Sequence, residues 1–128
     1  MHQYTWAEDL PEGCPPPEAK PANGEIYYRL ANNFPPTEKD FHSPKKLNPK
    51  RVLKQGECRA RALSVFQTVA ECNLVRNVCR VFRECLIVGI TIDATFGLIL
   101  YTPEDGATHY DWWLSKGCNP IPLCILAE

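Results

Sequence analysis

The chain has 128 residues, 45% hydrophobic and 23% charged, with a net charge of −1, which suits one compact domain and leaves too little length for most barrels and doubly wound folds. Twelve prolines against seven glycines, with three tryptophans, five tyrosines and five phenylalanines, exclude collagen-like repetition. They also exclude disorder throughout, because enough apolar surface exists to offset the chain entropy lost on folding.

The opening MHQYTWAEDL lacks the basic start and apolar run of a secretory signal. The strongest apolar stretches, 86–92 and 96–101, are strand-length and well short of the roughly 20 residues that cross a bilayer. The expected location is cytoplasmic, without membrane contact. Residues 1–24 hold Pro11, Pro15, Pro16, Pro17 and Pro21, which offer fixed backbone angles and few amide donors, so this segment is expected to be an extended arm. Trp6 and Leu10 are its candidate anchors. Residues 25–128 are then the compact domain.

Ile26–Leu30 (IYYRL) reads as a strand, since aromatic and β-branched side chains suit a pleated surface. Prolines 35, 36, 44 and 49 interrupt the next segment, although Thr37 with Asp40 has the spacing of a capped helical turn. Residues 39–61 carry eight cations against two carboxylates, a local charge of +6, so the remainder carries −7. His42 sits in this basic loop, which is either a solvated surface or an entrance that attracts an anionic ligand. The near-neutral total, and the lack of a recognisable nucleic-acid module, argue against nucleic acid as the partner.

Leu63–Phe66 reads as a strand carrying Ser64. Thr68 and Glu71 have capping-box spacing, and Leu74, Val75, Val78, Cys79 and Phe82 recur at helical offsets, predicting an amphipathic helix from about 68 to 84 with those five residues inward. LIVGITI (86–92) and FGLILYT (96–102) read as a buried antiparallel pair joined by a turn at 93–95. His109–Leu114 (HYDWWL) is expected as a short helix or irregular aromatic segment, and 123–127 as a closing strand. The sum is an α+β domain with one mainly antiparallel sheet packed against one principal helix.

The seven cysteines, at 14, 58, 72, 79, 85, 118 and 124, are odd in number and lack CxxC spacing. That argues against a disulfide framework or a structural zinc, and predicts reduced cysteines, with Cys79 on the apolar helix face and Cys124 inside a strand. No metal is assigned. Dinucleotide, P-loop, zincin, nucleophile-elbow and EF-hand motifs are absent as well.

Four candidates remain. Arg29 is either a phosphate or carboxylate clamp or an edge-strand residue facing solvent. Ser64 is either a ligand-binding hydroxyl or a small strand residue, and a nucleophile only where folding brings His109 close. His109 and Tyr110, in THYDWW, offer proton exchange and stacking, or else seal the core.

Taken in order, IYYRL with Arg29, the PPTEKDF loop, LSVF with Ser64, and THYDWW with His109 resemble a group of small bacterial stand-alone domains, compact relatives of ADP-ribosyltransferase or RES-type toxin domains. The resemblance spans roughly residues 25–127. It implies that Arg29 contacts NAD, that Ser64 shapes the nicotinamide pocket, and that a late residue stabilises the ribosyl transition state. His109 stands where the family commonly has a glutamate, while Glu104 and Glu128 lie in a loop and at the terminus. Without an acid, the developing ribose charge lacks a counter-charge. The expectation is therefore a pocket of Arg29, Ser64, His109 and Tyr110 for NAD or a related nucleotide, supporting ADP-ribosyl transfer or NAD cleavage, with Arg29 and His109 as the reacting groups. The alternative is a noncatalytic protein-binding or toxin-partner domain.

Overall fold

The computed structural model describes residues 4–128. Among them, seven strands form one antiparallel sheet: β1 (Lys20–Pro21), β2 (Glu25–Ala31), β3 (Leu63–Phe66), β4 (Leu86–Ile92), β5 (Gly97–Tyr101), β6 (His109–Leu114) and β7 (Ile125–Leu126). Their spatial order is β1-β5-β6-β3-β2-β4-β7. Helices α1 (Pro44–Leu47) and α2 (Glu57–Ala60) are single turns, and α3 (Val69–Val78) is the principal helix. This is the α+β domain expected. No helix among the described residues is long and apolar enough to cross a membrane.

Successive side chains of a strand point to opposite faces, and the sheet uses both. One face buries Tyr27, Leu63, Val65, Val88, Ile90, Ile92 and Trp112, together with Phe41 from the turn at Glu38–Phe41. The other buries Phe66 and Ile87 against Cys72 of α3, with Tyr28, Leu30 and Val75 half-buried around them. Each fully buried Val, Ile or Leu contributes about 2 kcal/mol. The two indoles of β6 divide between the faces and keep hydrogen-bond partners: Trp112 Nε1 donates to Phe96 O at 2.9 Å, Trp113 Nε1 to Cys58 O at 3.0 Å. The Thr37–Asp40 turn closes as its spacing predicts, with Thr37 N donating to Asp40 Oδ2 at 2.9 Å.

Several expectations are corrected. β4 and β5 are strands but do not pair: β4 lies between β2 and β7, and β5 between β1 and β6. Asp93 accepts from Thr95 N, closing a 3-10 turn at Ala94–Phe96 that leads from β4 into β5 without pairing them. Gly97 then opens β5 at φ 118°, where a Cβ would stand 2.0 Å from Trp113 O. Glycine is required there. α3 ends at Val78 because Cys79 is extended (φ −106°, ψ 110°). It turns Cys72, Val69 and Val75 to the sheet, while Leu74, Val78 and Phe82 are exposed. HYDWWL is a strand. Cys79 and Cys124 are half-buried, Cys124 preceding β7 rather than lying within it. Cys14 and Cys58 form a disulfide, and the other five cysteines are free.

The proline-rich segment is tied to the sheet. β1 pairs with β5, Trp6 bridges to Ser115, and Glu8 accepts from Ser43 N and Oγ at 2.9 and 2.5 Å.

Candidate functional site

The pairing of β3 with β6 sets Ser64 opposite Asp111 and Phe66 opposite His109. With a two-residue period, all four side chains share one face, the one turned towards α3 and α2. They floor a cleft of about 420 Å³, walled by Arg29 and Arg59 and covered by His42, Pro44, Leu47 and Leu53 on one side and the end of α3 on the other.

His109 is the centre of the polar floor. It is 4% exposed. Its Nε2 lies 2.9 Å from Ser64 Oγ and its Nδ1 lies 2.6 Å from Thr102 Oγ1, while Phe66 meets the ring edge-on at 5.2 Å. The Thr102 hydroxyl also donates to the His109 carbonyl oxygen at 3.3 Å. The 2.6 Å contact suits either neutral tautomer; with Nδ1–H donating to Thr102 Oγ1, Nε2 carries the lone pair that meets Ser64. Burial pushes the imidazole pKa below its ordinary 6.5, against the pull of Asp111 and Asp105. The ring is neutral at pH 7.

Asp111, 4% exposed, accepts from Arg59 Nε at 2.5 Å. The same guanidinium pairs with Glu104 at 3.1 Å and with Asp105. Burial lifts the Asp111 pKa above the usual carboxylate range, with Arg59 opposing the rise. Asp105, His109 and Asp111 bring candidate metal-ligand atoms within 4.8 Å of one another, but the cation seated on both carboxylates is Arg59.

Arg29 springs from the opposite face of β2 and reaches the cleft wall with two donors committed, Nε to Asp40 O at 3.0 Å and one terminal nitrogen to Ser64 O at 2.7 Å. Its carbon Cζ lies 6.0 Å from the centre of the Phe41 ring. Burial lowers its pKa to about 10, with Asp40 opposing, so it remains charged at pH 7. It joins β2, β3 and the Glu38–Phe41 turn.

Of the residues expected in one pocket, Arg29, Ser64 and His109 line this cleft; Tyr110 does not. Its position between His109 and Asp111 turns it to the other face, where its ring lies 5.3 Å from Tyr27 and 5.1 Å from Tyr101. Glu104 is a rim partner of Arg59, and Glu128 accepts from Asn73 Nδ2 at 3.0 Å. His42 lines the cleft, with Nε2 buried and unpartnered among the described residues. Sequence reasoning noted the carboxylate of THYDWW and counted Arg59 among the cations of 39–61, but gave no site role to Asp111, Arg59 or Thr102. The spacing of Asp111, two residues after His109, would have revealed it once the segment was read as a strand.

Comparison with family models, with curated proteins and with solved structures finds no match for this chain.

Proposed function

We propose that the cleft binds NAD or a related nucleotide and supports ADP-ribosyl transfer or NAD cleavage. The observation that carries this reading is the approach of Arg29, Ser64 and His109 to one cleft from three hydrogen-bonded neighbouring strands, with a buried carboxylate, Asp111, beside them. Arg29 supplies fixed positive charge for a phosphate, and Ser64 orients a ribose or nicotinamide amide from the floor.

When such a nucleotide is bound, the chemistry it supplies is departure of nicotinamide, which leaves positive charge on the ribose. Asp111 is the group here that opposes that charge, the role for which the late sequence offered only His109. A desolvated carboxylate acts more strongly than an exposed one. His109, neutral at pH 7, holds the Ser64 hydroxyl. A cytoplasmic setting goes with this reading, and the Cys14–Cys58 disulfide, a bond of oxidising compartments, is the observation against it.

The test is calorimetric titration of the full chain with NAD and an assay of the same sample for nicotinamide. Saturable binding with release is expected, and Asp111→Asn should retain binding while slowing release by about 100-fold or more. Absence of both binding and release overturns the reading.

A protein-binding reading has one specific observation in its favour: Leu74, Val78, Val81 and Phe82 are exposed together at the end of α3 beside Arg80 and Arg83. A partner captured by the native chain and lost with Val81→Glu would support it. Equal capture by both would remove it.

A further inference from the structure

We propose that Ser64 is a nucleophile that accepts acyl groups from activated esters, held ready by the hydrogen-bonded chain from Ser64 through His109 to Thr102. This goes beyond the nucleotide reading, in which Ser64 only orients a ligand. Three observations carry it. Ser64 is exposed to the cleft while the imidazole it touches is buried. In the tautomer whose Nδ1–H donates to Thr102 Oγ1, 2.6 Å away, the lone pair of His109 Nε2 faces Ser64 Oγ at 2.9 Å. Leu30, Leu47, Leu53 and Phe66 supply apolar cleft walls that suit an acyl chain.

The arrangement contains a nucleophile, a base and a group that orients the base, the geometry that activates a serine. In the step proposed, Ser64 Oγ bonds to the acyl carbon as its proton passes to His109 Nε2. The bond from the acyl carbon to the leaving oxygen breaks, and an aryloxide departs with the electron pair. His109 releases the proton taken from Ser64 to solvent; water then attacks the acyl-serine and gives a proton to His109 Nε2, which passes it to Ser64 Oγ as the acid is released. The transient imidazolium faces Asp111, Asp105 and Glu71, which stabilise it, and Arg59, which does not. Thr102 is a positioning residue. Ester with a good leaving group is the substrate class indicated, because an aryloxide departs without protonation.

The experiment uses the full chain with p-nitrophenyl acetate, following nitrophenolate release and mapping the acetyl group by peptide mass spectrometry. Acetyl on Ser64 is expected, forming about 100-fold more slowly in His109→Gln. The rate should rise with pH through a midpoint below 6.5, because His109 must lose its proton first and its burial lowers that pKa. Thr102→Val should slow acetylation and displace the midpoint, and Thr102→Ser should restore both. Acetyl found on lysines alone in the native chain overturns the proposal without recourse to any variant. So does Ser64 labelling that is indifferent to His109. Nicotinamide release is measured separately, so either activity can fail while the other stands.

Discussion

At Asp111, burial and pairing act in opposite directions. The carboxylate is almost fully enclosed, and its partner Arg59 has a side chain 18% exposed, so the pair is shielded from most solvent screening. Removing one member leaves a buried charge uncompensated, which costs more than the pair itself contributes. Arg59→Met should therefore destabilise the fold by about 3 kcal/mol at pH 7. The sign of the pH dependence follows from the raised folded pKa of Asp111, which loss of Arg59 raises further. The penalty is complete above that pKa and declines on acidification towards the unfolded value of 3.8, as the carboxyl becomes neutral. Urea unfolding of both chains at pH 7 and 4 checks this: the gap should narrow at pH 4, close to the unfolded value, and a constant gap would mean Asp111 is not the group left unpaired. Sequence alone offered Ser64 and His109 as candidates because a hydroxyl and an imidazole are conspicuous beside apolar strands. Asp111 and Arg59 were hidden because their roles depend on a contact across 52 residues.

Among the elements, strands were more legible than their neighbours. Leu63–Phe66 and Leu86–Ile92 stand where β-branched and apolar residues place them, but pairing is non-local and the 93–96 turn does not close a hairpin. HYDWWL concealed its period of two because both faces of β6 are buried: His109, Asp111 and Trp113 alternate with Tyr110, Trp112 and Leu114. A strand covered on both sides loses polar alternation. The Thr68–Glu71 signal was half local. Thr68 Oγ1 accepts from Glu71 N at 3.2 Å as a cap should, whereas the Glu71 carboxylate accepts from Thr108 N at 2.9 Å, tying the start of α3 to the residue before His109. The fit is close enough that a Cβ on Gly106 would come within 2.5 Å of Glu71 Oε1. Glu71→Ala should cost about 1–2 kcal/mol for the lost charge-assisted bond. It should also speed hydrogen exchange at the Thr108 amide while leaving the β4 amides protected. Unchanged exchange at Thr108 would show that the loop is held by other contacts.

For the molecule as a whole, the charge asymmetry of the sequence is partly cancelled by folding. Lys45 pairs with Glu57 at 3.5 Å, Arg61 with Glu8 at 3.5 Å, and Arg59 with three carboxylates, leaving Lys39, Lys46, Lys50, Arg51 and Lys54 exposed in the segment. The N-terminal segment also holds the cleft cover in place at two points. Glu8 grips Ser43, next to His42, and Cys14 is bonded to Cys58, next to Arg59. An odd cysteine count concealed this pair, since it says only that at least one thiol is left over and not that all are. Closing a separation of 44 residues removes unfolded-chain entropy equivalent to about 4 kcal/mol. Cys14→Ser with Cys58→Ser should therefore lower stability by about 2–4 kcal/mol in urea unfolding without reductant. Adding dithiothreitol should bring the native chain to the same midpoint and leave the double variant unmoved. Because Trp6 and β1 keep their own backbone pairings to Ser115 and β5, and α2 keeps the Arg59–Asp111 pair and the Trp113 Nε1 to Cys58 O bond, reduction should free the Cys14 region while α2 and the sheet persist. Protease cleavage should then begin between the Trp6 bridge and β1; cleavage starting within the sheet would instead mean that the disulfide holds the whole domain together.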